Sequence, residues 1–158
     1  MKTLKEYLNE HSLTEGILDV EDNLDKDYIK TQIEDFINKN YKVKGELKMN
    51  SVNGIYIVDC TNNVIVKNRD IESLTNGLFE WGEVDGFFSC SYCDKLQSLE
   101  GAPEKVNGFF NCSYCDKLQS LEGAPEKVNR DFYCLGCKKQ FTKEDVEKVC
   151  KVKRSIQI

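Results

Sequence analysis

Residues 86–107 read GFFSCSYCDKLQSLEGAPEKVN and residues 108–129 read GFFNCSYCDKLQSLEGAPEKVN, so the two blocks differ only at Ser89 and Asn111. A 22-residue period kept this closely points to a recent duplication and to a repeat architecture. In such folds each block is one coil that cannot bury its apolar face without its neighbours. A third block at the same interval keeps Phe132, Cys134 and Cys137 over Phe110, Cys112 and Cys115, while most other positions diverge. The positions that survive divergence mark the core.

Within a coil the apolar skeleton is Val106, Phe110, Cys112, Cys115, Leu118 and Leu121. Alternation at Phe110 and Cys112 is that of a short strand whose alternate side chains face one way. Ser-Leu-Glu-Gly-Ala-Pro then turns the chain, with Gly and Pro supplying the turn chemistry. The divergent block decides which Phe of each pair faces in: Phe88 and Phe110 keep Phe132, whereas Phe87 and Phe109 give way to Asp131. Phe88, Phe110 and Phe132 are therefore assigned to the core, and Phe87 and Phe109 to the outer face of the ladder. A degenerate coil is legible upstream, where residues 68–74 match residues 93–99, followed by Phe79, Trp81 and Val84.

The motif Phe-x-Cys-Ser-x-Cys-x-x-Leu-x-Ser-Leu-Glu-Gly-Ala-Pro, over about residues 64–140, resembles the leucine-rich-repeat proteins of bacteriophages and some bacteria. That family has Asn where this chain has Cys93 and Cys115. The resemblance implies protein binding as a family tendency and leaves the partner open, because one fold serves many functions. The first ten residues, MKTLKEYLNE, are similar to the capsid-targeting peptide of internal head proteins of T-even-type phages. On that likeness Leu8-Asn9-Glu10 would be a maturation-protease site. The plain alternative is a short amphipathic helix with Leu4 and Leu8 on one face.

Outside the coils, Ile29, Ile33, Phe36 and Ile37 lie at helical spacing within residues 24–39. Residues 42–48 and 54–60 alternate as half-buried strands do, and Thr61-Asn62-Asn63 reads as a turn into Val64-Ile65-Val66. Downstream, Thr142-Lys143-Glu144-Asp145 has the form of a capping box, and Val146, Val149 and Cys150 continue a short helix. The expected fold is α+β: a short leucine-rich-repeat-like solenoid with a parallel β ladder, a helix-plus-strands cap before it and a helical cap after it. The expected divisions are a leader or short helix at 1–12, an α/β cap at 13–63, the array at 64–141 and a helical cap and tail at 142–158.

Charge narrows the functions. The 22 basic and 27 acidic residues are interspersed, without the dense Lys/Arg stripe that a phosphate backbone demands. Nucleic acid is not expected as a partner, and no stretch is long and apolar enough to cross a bilayer. A cytoplasmic protein is expected, in the host cytoplasm or virion interior if phage-encoded. The single His11 has no nucleophile placed beside it by any motif, and the glycines sit at repeat turns and form no phosphate loop. No enzyme and no cofactor are expected.

Eight cysteines in such a chain pose the main chemical question. The spacing of Cys90, Cys93, Cys112 and Cys115 satisfies a four-cysteine zinc site, but a 22-residue period produces that spacing automatically. Asp94 and Asp116 also stand where a zinc knuckle has Gly. The preferred reading is two columns of small buried thiols, with zinc and redox chemistry as alternatives and Cys60 and Cys150 as buried cap residues. The leading expectation for function is a protein-binding module, monomeric or weakly self-associating, whose face presents Phe87, Phe109, Tyr92, Tyr114 and Tyr133 around Ser89 and Asn111. If phage-encoded, it would bind a host defence protein, as an inhibitor, or a virion component. Alternatives are a zinc-binding module and a self-assembling structural protein, and Tyr92 and Tyr114 could equally serve to cover the turn.

Overall fold

The structure, a computed structural model, describes residues 18–158; the leader and its proposed cleavage site lie outside them. Helix α1 (Leu18–Asn40) comes first, followed by β1 (Tyr41–Val43), β2 (Leu47–Val52), β3 (Ile55–Cys60) and β4 (Val64–Val66). The coils then supply β5 (Glu80–Val84), β6 (Phe88–Ser89), β7 (Lys105–Val106), β8 (Phe110–Asn111), β9 (Lys127–Val128) and β10 (Phe132–Tyr133). Helix α2 (Lys143–Val149), β11 (Lys151–Val152) and β12 (Ile156–Gln157) follow. No helix among the described residues is long and apolar enough to cross a membrane.

The strands stack into two six-stranded sheets, ordered β1-β4-β6-β8-β10-β12 and β11-β9-β7-β5-β3-β2. The result is a β-solenoid of about four turns. All coil-to-coil pairings are parallel; only β1 on β4 and the β2–β3 hairpin are antiparallel. In the first sheet Phe88 pairs with Phe110 and Phe110 with Phe132, which puts all three in one inward column, fully buried as the divergent block predicts. Phe87 and Phe109 are only partly buried, on the outer side. The second sheet stacks Val84, Val106 and Val128 in the same manner. The repeat pattern predicts one ladder; the Lys-Val pairs build another.

The caps follow from local chemistry. Ile33 and Ile37 of α1 are buried, and Ile29 and Phe36 pack against the same core. Phe36 meets Phe79 edge-on at 6.2 Å, and Tyr41 and Phe79 each meet Trp81 at 5.3 Å, so a cluster of tilted rings seats the helix on the first coil. The Tyr41 hydroxyl donates to the Leu74 carbonyl. At the other end the Thr142 side chain accepts from the Asp145 N–H while the Thr142 N–H donates back to the Asp145 carboxylate. That reciprocal cap starts α2, whose Val146 closes over the core.

Candidate functional site

Strand alternation points Phe87, Ser89, Phe109, Asn111 and Tyr133 away from the core, on the outside of the first sheet. The rings of Phe87 and Phe109 stack at 4.5 Å with 5° between planes, and Tyr133 turns its edge to Phe109 at 5.7 Å. Asp131 ends the Phe column, its carboxylate accepting from the Ser155 hydroxyl at 2.7 Å. The strip beside these rings is largely engaged within the fold. Ser89 is buried, with its hydroxyl 3.1 Å from that of Ser91. Asn111 accepts from the Ser113 N–H at 2.9 Å, and the buried Ser113 hydroxyl accepts from the Leu135 N–H at 3.0 Å. Ser89 thus offers a partner little surface, despite its expected place on the binding face.

The second column is more open. Tyr92 and Tyr114 are 45% and 44% exposed, stacked at 4.8 Å, and Leu135 of the next coil is 37% exposed. Both tyrosines adopt left-handed backbone conformations, with φ of 61° and 57°. One period later the same position is Gly136, with φ of 67°. Glycine takes this conformation without penalty, whereas a side chain makes it costly. The Arg69 guanidinium lies 5.1 Å from the Tyr92 ring centre, and a Cβ on Gly136 would fall 2.4 Å from the Tyr114 ring. The stack is therefore closed at both ends: ring faces are covered, and ring edges and hydroxyls face outward. Sequence reading missed Arg69 and Leu135; the alignment of Gly136 with the two tyrosines was the available signal for the backbone.

The six coil cysteines form two buried columns, and every cysteine in the chain is a free thiol. The Cys115 thiol donates to the Cys90 carbonyl at 3.2 Å, and Cys137 to the Cys112 carbonyl at 3.4 Å, so these two second-column thiols bond back to the preceding coil, while Cys93 faces the Ser91 carbonyl of its own coil. Contact with Cys115, together with burial, holds the Cys90 thiol well above its ordinary value. Burial pushes Cys93 up to about 12 and raises Cys112. A thiolate is the metal ligand and the nucleophile, and these surroundings favour the neutral thiol at Cys90, Cys93 and Cys112, whereas the contact with Cys90 lowers Cys115. Among the described residues no group of three or more His, Cys, Asp or Glu could hold a metal ion, so Cys90, Cys93, Cys112 and Cys115 are not gathered as a four-ligand zinc site. Cys60 and Cys150 are buried in the caps.

Comparison of the chain with family models, with curated proteins and with solved structures gives no match.

Proposed function

We propose that this chain is a non-enzymatic protein-binding module that presents Tyr92, Tyr114 and Leu135, with the flanking edges of Phe87, Phe109 and Tyr133, to another protein. One observation carries the reading. The fold needs a left-handed residue at this corner, and Gly136 meets the need without strain, yet two successive coils place exposed tyrosines there. Backbone strain of this kind amounts to about 1–3 kcal/mol and collects at functional positions. Tyrosine held rigid by stacking also loses little side-chain freedom on binding, which is why it recurs among interface hot spots. On the resemblance of the coils to phage-type leucine-rich repeats, the protein would act in the host cytoplasm or the virion interior. Its partner would be a host defence protein, which it inhibits, or a virion component.

Replacing both tyrosines by glycine tests the proposal, because the backbone accepts glycine at the equivalent position. Tyr92→Gly/Tyr114→Gly should fold with unchanged circular dichroism and lose a partner that the wild-type chain captures from a host extract. Capture of the same proteins by both forms would overturn the assignment of the face.

A further inference from the structure

The two sheets cover two sides of each coil, and the third side, along residues 94–101 and 116–123, contains no strand. Successive coils are joined there by isolated backbone bonds. The Leu99 N–H donates to the Glu122 carbonyl at 2.9 Å, and the N–H groups of Gln119 and Ser120 reach the Gln97 carbonyl at 2.8 and 3.2 Å. One period later this arrangement stops. The residue aligned with Leu121 is Lys143, where α2 begins, so the chain rises into a helix in place of another Ser-Leu-Glu-Gly turn. The Leu121 N–H, equivalent to that of Leu99, has no protein acceptor among the described residues. Between this turn and α2 lies a cleft of about 550 Å³ whose apolar lining is Leu121, Ala124, Phe141 and Val149. Val149 is 38% exposed, although it sits on a helix that otherwise closes the array.

We propose that this cleft binds an extended, leucine-bearing segment of a partner protein, which takes the place of the turn that the last coil omits. The chemistry of the occupant is read from the preceding coils. A backbone carbonyl must face the Leu121 N–H as that of Glu122 faces Leu99, because an unmet donor beside an apolar cleft favours a peptide able to pair with it. An apolar side chain covers Val149 and Leu121. Glu122, Asp145, Lys139 and Lys148 all line the cleft, with Lys148 paired to Asp145 at 3.3 Å and Lys139 donating to the Gln119 carbonyl, so the charges balance and the occupant needs none at its centre. This site is on a different side from Tyr92 and Tyr114 and is tested separately.

The probe is the blocked hexapeptide of residues 119–124 with its glutamate changed to glutamine, Gln-Ser-Leu-Gln-Gly-Ala, titrated into isotope-labelled full-length chain. Resonances of Leu121, Phe141 and Val149 should shift together, and exchange of the Leu121 amide should slow by about tenfold at saturation. Changing the peptide leucine to alanine should weaken binding by about tenfold. Val149→Lys should abolish it while leaving the spectrum of the sheets unchanged. No shift at millimolar peptide, or shifts that survive Val149→Lys, would overturn the proposal. So would concentration-dependent self-association that Val149→Lys removes, since the occupant would then be a second copy of the chain.

Discussion

Phe110 lies between two copies of itself, 5.8 Å from the Phe88 ring and 5.2 Å from Phe132, with no exposure to solvent. Its neighbour Phe109 stacks on the outside and keeps part of its ring in water. Phe110→Ala should therefore cost about 3–5 kcal/mol, as cavity-forming changes in packed cores do. Phe109→Ala, which loses the ring contacts with Phe87 and Tyr133 on a half-exposed face, should cost about 1–2 kcal/mol. Urea melts of both variants check this, and equal losses would show that the outer column is as structural as the inner one. The thiols give a second prediction at this scale. In the unfolded chain a cysteine ionises near its ordinary value of 9.0; in the fold, burial raises Cys93 and Cys150 to about 12 and also raises Cys60 and Cys112. Folding thus keeps protons that the unfolded chain releases. The associated stability is fully present below pH 9 and declines as pH climbs toward 12, by at most about 1.4 kcal/mol per pH unit for a fully buried thiol and by less where solvent screens it, as at Cys60 and Cys150. Melts in reductant at pH 7, 9 and 10.5 should show this decline, and Cys93→Ala/Cys150→Ala should make it shallower. An alkaline profile that does not respond to losing the two thiols would remove them as its cause.

At the scale of the elements, the corner between the two sheets is held by a column of side chains. Asn107 donates to the Glu83 carboxylate at 2.6 Å and to the Asp85 carboxylate at 2.9 Å, and accepts from Asn129 at 2.6 Å. Below it Asn63 accepts from the Phe87 N–H at 3.0 Å, and Gly108 packs so closely that a Cβ would fall 2.5 Å from the Gly86 carbonyl. Because one residue serves both coils that flank it, Asn107→Ala should cost about 1–2 kcal/mol, measurable as a lower urea midpoint. A midpoint unchanged within error would show that water replaces these bonds at no loss. This corner also shows where sequence reading ends. Phe88, Phe110 and Phe132 were legible because alternation and a divergent copy both spoke for them, and the capping box at Thr142 because its chemistry is local. The Val ladder was not. A strand of two residues displays no period, and Lys105-Val106 lies between Pro103 and Asn107, residues that signal turns. The candidate face was half legible: which residues point outward followed from alternation, whereas the burial of Ser89 and the stack from Arg69 to Gly136 depend on contacts between coils that one coil's sequence does not contain.

For the whole molecule the controlling fact is that every coil touches only its neighbours, so stability is close to a sum of coil energies and of interfaces between them. Residues 86–107 and 108–129 are almost the same sequence, and their interface is therefore nearly that of a coil with its own copy. Consider a second copy of residues 108–129 inserted after Asn129. Its upstream face meets residues 108–129 as those residues now meet 86–107, and its downstream face meets residues 130–158 as residues 108–129 now do. Every interface in the longer chain already exists in the shorter one, with a single exception: Asn111 stacks on its copy where it now stacks on Ser89. Asparagine in a parallel ladder can bond along the column, so the exception is not a penalty. The extended chain should fold as one cooperative unit, longer by about 4.8 Å along its axis, with a urea midpoint no lower than that of the parent and a steeper transition from the added buried surface. The inserted block with its order scrambled should fail to do so. If the exact copy instead lowers the midpoint or splits the transition in two, then the caps at α1 and α2 are matched to an array of fixed length, and coil-by-coil additivity does not describe this protein.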